Sequence, residues 1–96
     1  MIKTFKNALA EDIFNGTNTK TVKKLPPTVV KVARRKLDML NSAVEVSDLL
    51  VPPRNRLEAL KGDRKGQFSI RINDQWRLCF TWVNGHAIDA EIIDYH

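Results

Sequence analysis

The sequence predicts one α+β domain over residues 1–96, in which an N-terminal strand and two or three helices pack on a C-terminal antiparallel meander in two layers. Three observations lead to this prediction. Apolar residues recur at helical spacing in the first half of the chain and at every second position in the second half. The pair Asn84-Gly85, which is typical of a tight β-hairpin, separates the last two alternating runs. At 96 residues, the chain has room for one core only.

The first residues are predicted to form a short strand followed by a short helix. Residues 2–5 are the candidate strand. Asn7 can cap the helix that follows, and Gly16 can end it. Residues 17–21 are polar and have no hydrophobic period, so they are predicted to form a loop.

The longest helix is predicted to begin at Pro26-Pro27, because proline is favoured in the first helical turn. Apolar residues then recur at three- and four-residue spacings, at Val29, Val30, Ala33, Leu37 and Leu40. Residues 42–50 are expected to add a further turn of helix. Helical structure should end at Pro52-Pro53, where the backbone is restricted and loses hydrogen-bond donors.

Alternating apolar and polar residues predict the strands of the meander. Residues 68–73 form one run and residues 76–83 the next, and residues 86–95 return after the Asn-Gly turn. Direct pairing across that turn puts Asp89 and Glu91 on the apolar face of the sheet. The hairpin therefore requires either a β-bulge or a sheet that is partly covered on both faces.

The composition favours a folded cytoplasmic protein with a polyanionic partner. Sixteen Lys and Arg residues against eleven Asp and Glu residues give a net charge of +5, which favours nucleic acid or an acidic protein. No apolar run approaches the roughly 20 residues that cross a membrane, and no signal peptide is indicated. Cys79 is the one cysteine, so no internal disulfide is expected. Neither a cofactor nor a metal is expected, because no metal-ligand spacing or phosphate-binding glycine loop occurs.

Three segments of the second half form a specific combination: Leu60-Lys61-Gly62-Asp63-Arg64, Trp76-Arg77 and Asp94-Tyr95-His96. In this order they resemble the HigB, or plasmid-maintenance killer, family of RelE-like bacterial toxins. The resemblance is continuous over residues 57–96 and includes the first five residues. It implies a microbial-ribonuclease-like fold and metal-free cleavage of messenger RNA in the ribosomal decoding site. It also implies a HigA-like helix-turn-helix antitoxin. The toxin would contact operator DNA only indirectly, through its complex with this antitoxin.

The residues that match the catalytic positions of the family are Lys61, Arg77, Asp94, Tyr95 and His96. His96 is the first choice for proton transfer, because an imidazole has a pKa of about 6.5; the alternative is a frayed terminal residue. Arg77 and Lys61 are expected to hold the phosphate, although Arg77 can instead pair with Asp94 and Lys61 can be a solvated turn residue. Tyr95 is expected to stack on a base or contact phosphate, and Asp94 to orient a cation. Alternation along a strand nevertheless separates Tyr95 from Asp94 and His96.

Further cations are expected to position RNA backbone rather than to catalyse. They are Arg54, Arg56, Arg64, Lys65 and Arg71. A second basic region on the long helix fits either ribosomal RNA or an acidic antitoxin surface. It comprises Lys31, Arg34 and Arg35, with Lys23 and Lys24 nearby.

The chain departs from the family at one position. Relatives can carry a histidine shortly before the Leu-Lys-Gly-Asp segment, where this chain has Glu58. Glu58 can replace that histidine as a base or lie at the surface. Two other functions stay open on the same fold: a non-catalytic toxin similar to those that poison gyrase, and an inactive toxin that serves only as an antitoxin-bound co-repressor.

Overall fold

The computed structural model describes residues 1–95 as a layer of helices packed on a four-stranded antiparallel sheet. The α-helices are α1 (Ala8–Asn15), α2 (Lys20–Lys23) and α3 (Pro27–Ser42), and short 3-10 turns follow at Val46–Leu50, Pro53–Asn55 and Gly62–Arg64. The strands, which neighbour one another in chain order, are β1 (Glu58–Ala59), β2 (Gln67–Arg71), β3 (Trp76–Val83) and β4 (His86–Asp94). The predicted α+β fold is confirmed. No helix within residues 1–95 combines the length and the apolar character needed to cross a lipid bilayer.

The N-terminal segment is extended and lies along the outer edge of β4. Ile2 and Phe5 form isolated parallel bridges with Ala87 and Ala90. Four backbone hydrogen bonds of 2.8 to 3.0 Å join this segment to β4. The predicted first strand is therefore a pair of bridges rather than a continuous strand.

Asn7 fixes both the start of α1 and its position on the sheet. Its Oδ1 accepts a hydrogen bond from the backbone N–H of Ala10 at 3.1 Å, which caps the helix. Its Nδ2 donates to the carbonyl of Ile92 in β4 at 2.8 Å. Gly16 ends the helix with a φ of 73°, so the predicted limits of α1 are confirmed.

Replacing Asn7 by alanine is expected to lower the free energy of unfolding by about 1 to 2 kcal/mol, because α1 loses its cap and its link to β4. Asn15→Ala, at the exposed end of the same helix, is the matched control. Urea unfolding followed by circular dichroism measures both variants. Equal unfolding midpoints for the two would contradict the role assigned to Asn7.

The loop predicted for residues 17–21 is wrong at its end, because Lys20 and Thr21 belong to α2. The Oγ1 atom of Thr19 accepts a hydrogen bond from the backbone N–H of Val22 at 3.3 Å, and Val22 is buried in the core. A one-turn helix is too short to display a hydrophobic period. A cap and a single buried valine define it instead.

The long helix α3 begins at Pro27, as predicted. Its buried residues are Ala33, Lys36, Leu37 and Leu40. The further turn expected within residues 42–50 is present as a 3-10 turn. Helical structure does not end at Pro52-Pro53 as expected, because a second 3-10 turn begins at Pro53 itself and a third begins at Gly62. Proline at the first position of such a turn has no hydrogen bond to lose.

The β3–β4 hairpin closes through the predicted Asn-Gly turn. Asn84 and Gly85 have φ angles of 50° and 81°, which is the positive-φ pair that a type I′ turn requires. Val83 and His86 pair on either side of the turn. This prediction is confirmed.

A β-bulge then shifts the register of the hairpin between Cys79 and Thr81. On β4 the bulge contains Asp89, whose φ of 54° lies in the left-handed region. Beyond it, Glu91 lies opposite Cys79, and Ile92 joins the buried core. Both alternatives left open by the sequence are present, because the bulge shifts the register and Ser69, Cys79 and Glu91 on the opposite face from the core are also buried.

The two faces of the sheet have different chemistry. The face that packs on α1 and α3 is apolar and includes Ile70, Leu78, Phe80 and Ile92. The other face, here called the arginine face, has a row of one residue from each strand, Glu58, Ser69, Cys79 and Glu91. Arg71 and Arg77 form the next pair along this face. The candidate site is built on it.

Candidate active site

Arg77 lies at the centre of the arginine face, and protein groups hold its guanidinium in place. Its Nε donates to the Oγ of Ser69 at 2.8 Å. Its Nη2 donates to the carbonyl of Arg56 at 2.7 Å and to that of Ser69 at 3.3 Å. The residue is only 8% exposed. The cation is therefore fixed in orientation before any ligand arrives.

Glu58 and Tyr95 lie beside this guanidinium. The Oε1 atom of Glu58 is 3.6 Å from the Nη2 of Arg77, and the hydroxyl of Tyr95 donates to the same Oε1 at 3.5 Å. The guanidinium carbon also lies 5.4 Å from the centroid of the Tyr95 ring, within the range of a cation–π contact. The side chains of Glu58 and Tyr95 are exposed. A fixed cation, a carboxylate and a phenol thus meet at one solvent-accessible point.

Part of the hydrogen-bonding capacity of Arg77 is still available. A guanidinium carries five N–H groups. Ser69 and Arg56 accept from Nε and Nη2, whereas Nη1 has no acceptor among residues 1–95. The cluster can therefore accept an anion without releasing the contacts that hold Arg77.

The other three predicted catalytic residues lie outside the cluster of Arg77, Glu58 and Tyr95 or outside the described residues. Lys61 is exposed two residues after β1, and its ammonium has no partner among residues 1–95. Asp94 pairs in register with Trp76, which puts it on the opposite face from Arg77, and it accepts a hydrogen bond from the Nε2 of Gln75 at 3.0 Å. His96 lies outside the described residues.

The structure therefore brings Arg77 and Tyr95 together and adds Glu58 to them. The sequence suggested Asp94 as a carboxylate for Arg77, and the structure places Glu58 in that position at 3.6 Å.

Arg64 has a structural partner on the arginine face. Its Nη1 donates to the Oε1 of Glu91 at 2.7 Å and to the side chain of Gln67 at 3.1 Å. The hydrogen bond to Glu91 raises the pKa of Arg64 above its usual value. This ion pair fastens the turn at Gly62–Arg64 to β4, so the charge of Arg64 is partly neutralised.

The remaining predicted RNA-binding cations are accessible. Arg71 forms an ion pair with Asp74, and the guanidinium lowers the pKa of that exposed carboxyl. The side chains of Arg54, Arg56 and Lys65 are exposed. Of these residues, Arg71 lies on the arginine face, and the backbone carbonyl of Arg56 contacts Arg77.

Cys79 is not placed to act as a nucleophile. It is fully buried between Ser69 and Glu91 on the arginine face. Burial raises the pKa of its thiol to about 11, so the thiolate is scarce at neutral pH. Within residues 1–95, no group of three or more His, Cys, Asp and Glu side chains is arranged to hold a metal ion.

Two members of the cluster were not evident from the sequence. Glu58 had two open interpretations, as a base or as a surface residue, and the β1–β2 register places it opposite Ser69 and beside Arg77 while its side chain stays exposed. Ser69 was not singled out at all. The one signal for it is the alternation that puts a small polar residue on the same strand face as Arg71.

The chain matches a known protein family over nearly its whole length. Residues 3–96 match the family model described as a RelE-like toxin of the type II toxin–antitoxin system HigB. The chain belongs to this HigB-like toxin family. The resemblance to the HigB family, which rested on three short segments, is thereby confirmed, and it extends over nearly the whole chain.

This HigB-like toxin has relatives of similar length. It is 39% identical over 90 residues to Toxin HigB-1 of Vibrio cholerae serotype O1, covering 94% of this chain and 93% of the relative. It is 34% identical over 100 residues to Endoribonuclease HigB of Proteus vulgaris, and both chains are covered in full.

Solved structures show the same fold. The YoeB–YefM complex from Staphylococcus aureus aligns with a TM-score of 0.63 at 24% identity, covering 100% of this chain and 98% of that chain. A mutant of YafQ from E. coli aligns with a TM-score of 0.61 at 9% identity, covering 98% and 93%. At such identities the likeness establishes the RelE-like fold of this HigB-like toxin.

Proposed function

We propose that this HigB-like toxin is an endoribonuclease that cuts translated messenger RNA in the ribosomal decoding site without a metal. The observation that carries the proposal is the meeting of Arg77, Glu58 and Tyr95 at one accessible point on the sheet. The relative named Endoribonuclease HigB, at 34% identity over the full chain, supports the same activity.

The proposed reaction needs a base, a cation and an acid. Glu58 takes the proton of the ribose 2′-hydroxyl, and the resulting oxygen attacks the neighbouring phosphorus. The bond from phosphorus to the 5′-oxygen then breaks, and His96 supplies the proton that the leaving oxygen needs. The products are a 2′,3′-cyclic phosphate and a 5′-hydroxyl end.

Arg77 stabilises the phosphorane in this scheme. Its Nη1 faces no acceptor of the described chain, so it can donate to a phosphate oxygen while Ser69 and Arg56 keep the guanidinium fixed. Electrostatic stabilisation of this kind is effective because the donor needs no reorganisation during the reaction. Lys61, which is exposed just before the turn at Gly62–Arg64, adds a second cation. The ring of Tyr95 stacks on a splayed base. Asp94 orients a neighbouring cation.

The proposal assigns the in-line geometry to the ribosome. The exposed members of the cluster, Glu58 and Tyr95, lie at the surface beside the buried Arg77, and no described residue is assigned to align an RNA strand there. Correct alignment of the attacking oxygen supplies a large part of the rate in such reactions. Cleavage of free RNA should therefore be slow or absent. Arg54, Arg56, Arg64, Lys65 and Arg71 are proposed to position RNA backbone around the site.

A cognate antitoxin of the HigA-like helix-turn-helix type is the proposed protein partner. The family is that of a toxin–antitoxin system. A solved YoeB–YefM structure from Staphylococcus aureus is a heterotetrameric toxin–antitoxin complex. Contact with operator DNA would then occur only through the antitoxin, and the cytoplasm would be the site of action.

The test compares cleavage of one defined RNA in a reconstituted translation system with cleavage of the same RNA alone. We expect 5′ ends to appear within the translated message and not in the free RNA. His96→Ala is measured in parallel, and equal cutting by this variant would remove His96 from the mechanism. Growth arrest without cleavage would support a non-catalytic toxin, and normal growth on induction would support an inactive co-repressor.

A further inference from the structure

A small cavity lined mainly by cations lies where α3 meets the end of β2. Its volume is about 160 Å³. The residues that line it are Val32, Arg35, Lys36, Arg54, Arg71 and Ile72. We call it the cationic cavity, because four of these six residues carry positive charge and none is acidic.

Lys36 provides a buried charge at this cavity. Its side chain comes from the covered side of α3, and the residue is only 8% exposed. The Nζ donates to the Oδ1 of Asn55 at 2.6 Å, which is a neutral partner. Asn55 is itself fully buried, and its Nδ2 donates to the carbonyl of Leu49 at 3.1 Å. The ammonium is therefore held in place by a neutral group, and no carboxylate within residues 1–95 forms an ion pair with it.

The charges around Lys36 repel one another. Burial, followed by the nearby charges of Arg35 and Arg71, lowers the pKa of Lys36. Arg71 has Asp74 as a partner, but that carboxylate is fully exposed at the surface. Keeping a buried cation among other cations is costly unless an anion can enter. The cavity between these side chains is surrounded by positive charge and is large enough for one small anion.

The cationic cavity adjoins the candidate active site. Arg71 pairs in register with Arg77, and side chains paired in this way start roughly 5 Å apart. An RNA strand held at Arg77 therefore passes close to Arg71.

We propose that the cationic cavity binds one phosphate group of an RNA backbone. This inference rests on the proposed function, because it supplies a second point of attachment for RNA beside the cleavage site. Lys36 is the buried cation of the cavity, Arg71 is half-buried, and the exposed side chains of Arg35 and Arg54 stand at its rim.

Phosphate is the anion that fits this arrangement best. Pockets for drug-sized molecules have volumes of about 300 to 1,000 Å³, so this cavity suits a single small group and not a base. Three of its four cations are arginines, whose forked donors match phosphate oxygens in pairs.

The first experiment measures binding of a single-stranded RNA that is 2′-O-methylated throughout and cannot be cut. The variant Arg35→Gln/Arg54→Gln removes two rim charges, and Lys3→Gln/Lys20→Gln removes two charges elsewhere on the surface as the matched control. Fluorescence anisotropy is recorded over a range of KCl concentrations. We expect the rim variant to bind at least about tenfold more weakly, as removal of charge-assisted hydrogen bonds predicts. The slope of log K against log salt should fall by about 0.7 for each phosphate that the variant no longer neutralises.

A second measurement isolates the anion itself. Thermal unfolding is followed in inorganic phosphate and in chloride at equal ionic strength. Phosphate should raise the melting temperature of the wild type and of the control variant more than that of the rim variant, because a ligand that binds only the folded state stabilises it. An equal rise in all three proteins would overturn the proposal.

The source of the phosphate is identified by a third measurement, binding to small ribosomal subunits that carry no message. Weaker binding of the rim variant to these subunits alone assigns the phosphate to ribosomal RNA, and weaker binding to the single strand alone assigns it to the message. Unchanged binding to both RNAs would overturn the proposal, as would a defect confined to antitoxin binding. RNA binding through the cavity without cleavage on the ribosome would refute the proposed nuclease while leaving the cavity assignment intact.

Discussion

Replacing Glu58 by glutamine is expected to slow cleavage of a translated message by about 10²- to 10⁴-fold, the usual contribution of a general base. Glutamine preserves the size of the side chain but cannot take the proton of the 2′-hydroxyl. Stability should change little, because the contacts of Glu58 with Arg77 and Tyr95 are long, at 3.6 Å and 3.5 Å, and its side chain is 48% exposed. Single-turnover cleavage on programmed ribosomes gives the rate.

Two further variants make this prediction specific. Glu11→Gln, an exposed glutamate on α1, makes the same chemical change away from the site and should leave the rate unchanged. Glu58→His should recover part of the activity, because an imidazole can also accept a proton. If Glu58→Gln cuts as fast as the wild type, Glu58 is a surface residue and the base lies elsewhere.

Replacing Arg77 by lysine is expected to reduce cleavage by about 10²- to 10³-fold, as removal of one preorganised donor to the transition state predicts. Lysine keeps the positive charge, but its ammonium cannot reproduce the fork that reaches Ser69, Arg56 and a phosphate together. The melting temperature should also fall, because the carbonyl of Arg56 no longer has its charged partner.

Ser69→Ala separates the two roles of Arg77. It removes the acceptor at 2.8 Å that orients Nε but keeps the guanidinium. We expect a decrease in stability similar to that of Arg77→Lys and a much smaller decrease in activity. Ribosome binding is measured for each variant so that the change in activity can be assigned to the chemical step. Equal activity in the two variants would show that Arg77 acts only in folding.

Most of the fold could be predicted because its limits depend on local chemistry. The cap at Asn7, the stop at Gly16 and the turn at Asn84-Gly85 each involve residues that are near neighbours in the chain. The helix α2 was missed because one turn shows no period. The bulge at Asp89 was anticipated only as one of two ways to resolve a conflict between the faces of the hairpin.

The candidate site was less predictable because it depends on pairing between distant segments. Arg77 and Tyr95 could be selected from the resemblance, and they do lie together. The place of Glu58 depends on β1, a strand of two residues whose register no sequence pattern specifies. Likewise, the burial of Lys36 depends on Asn55, which reaches it from a separate turn.

The docking of the first residues onto the last strand has a consequence for synthesis of this protein. The backbone bridges of Ile2 and Phe5 cannot form until Ala87 and Ala90 have been made, so the first residues and the last strand must meet to form this edge. Contacts of such long sequence separation form late in folding. A nascent chain that stops before β4 lacks both this closure and Tyr95. Unfinished copies leaving the ribosome are therefore expected to lack part of the fold and of the site on which the proposed activity depends.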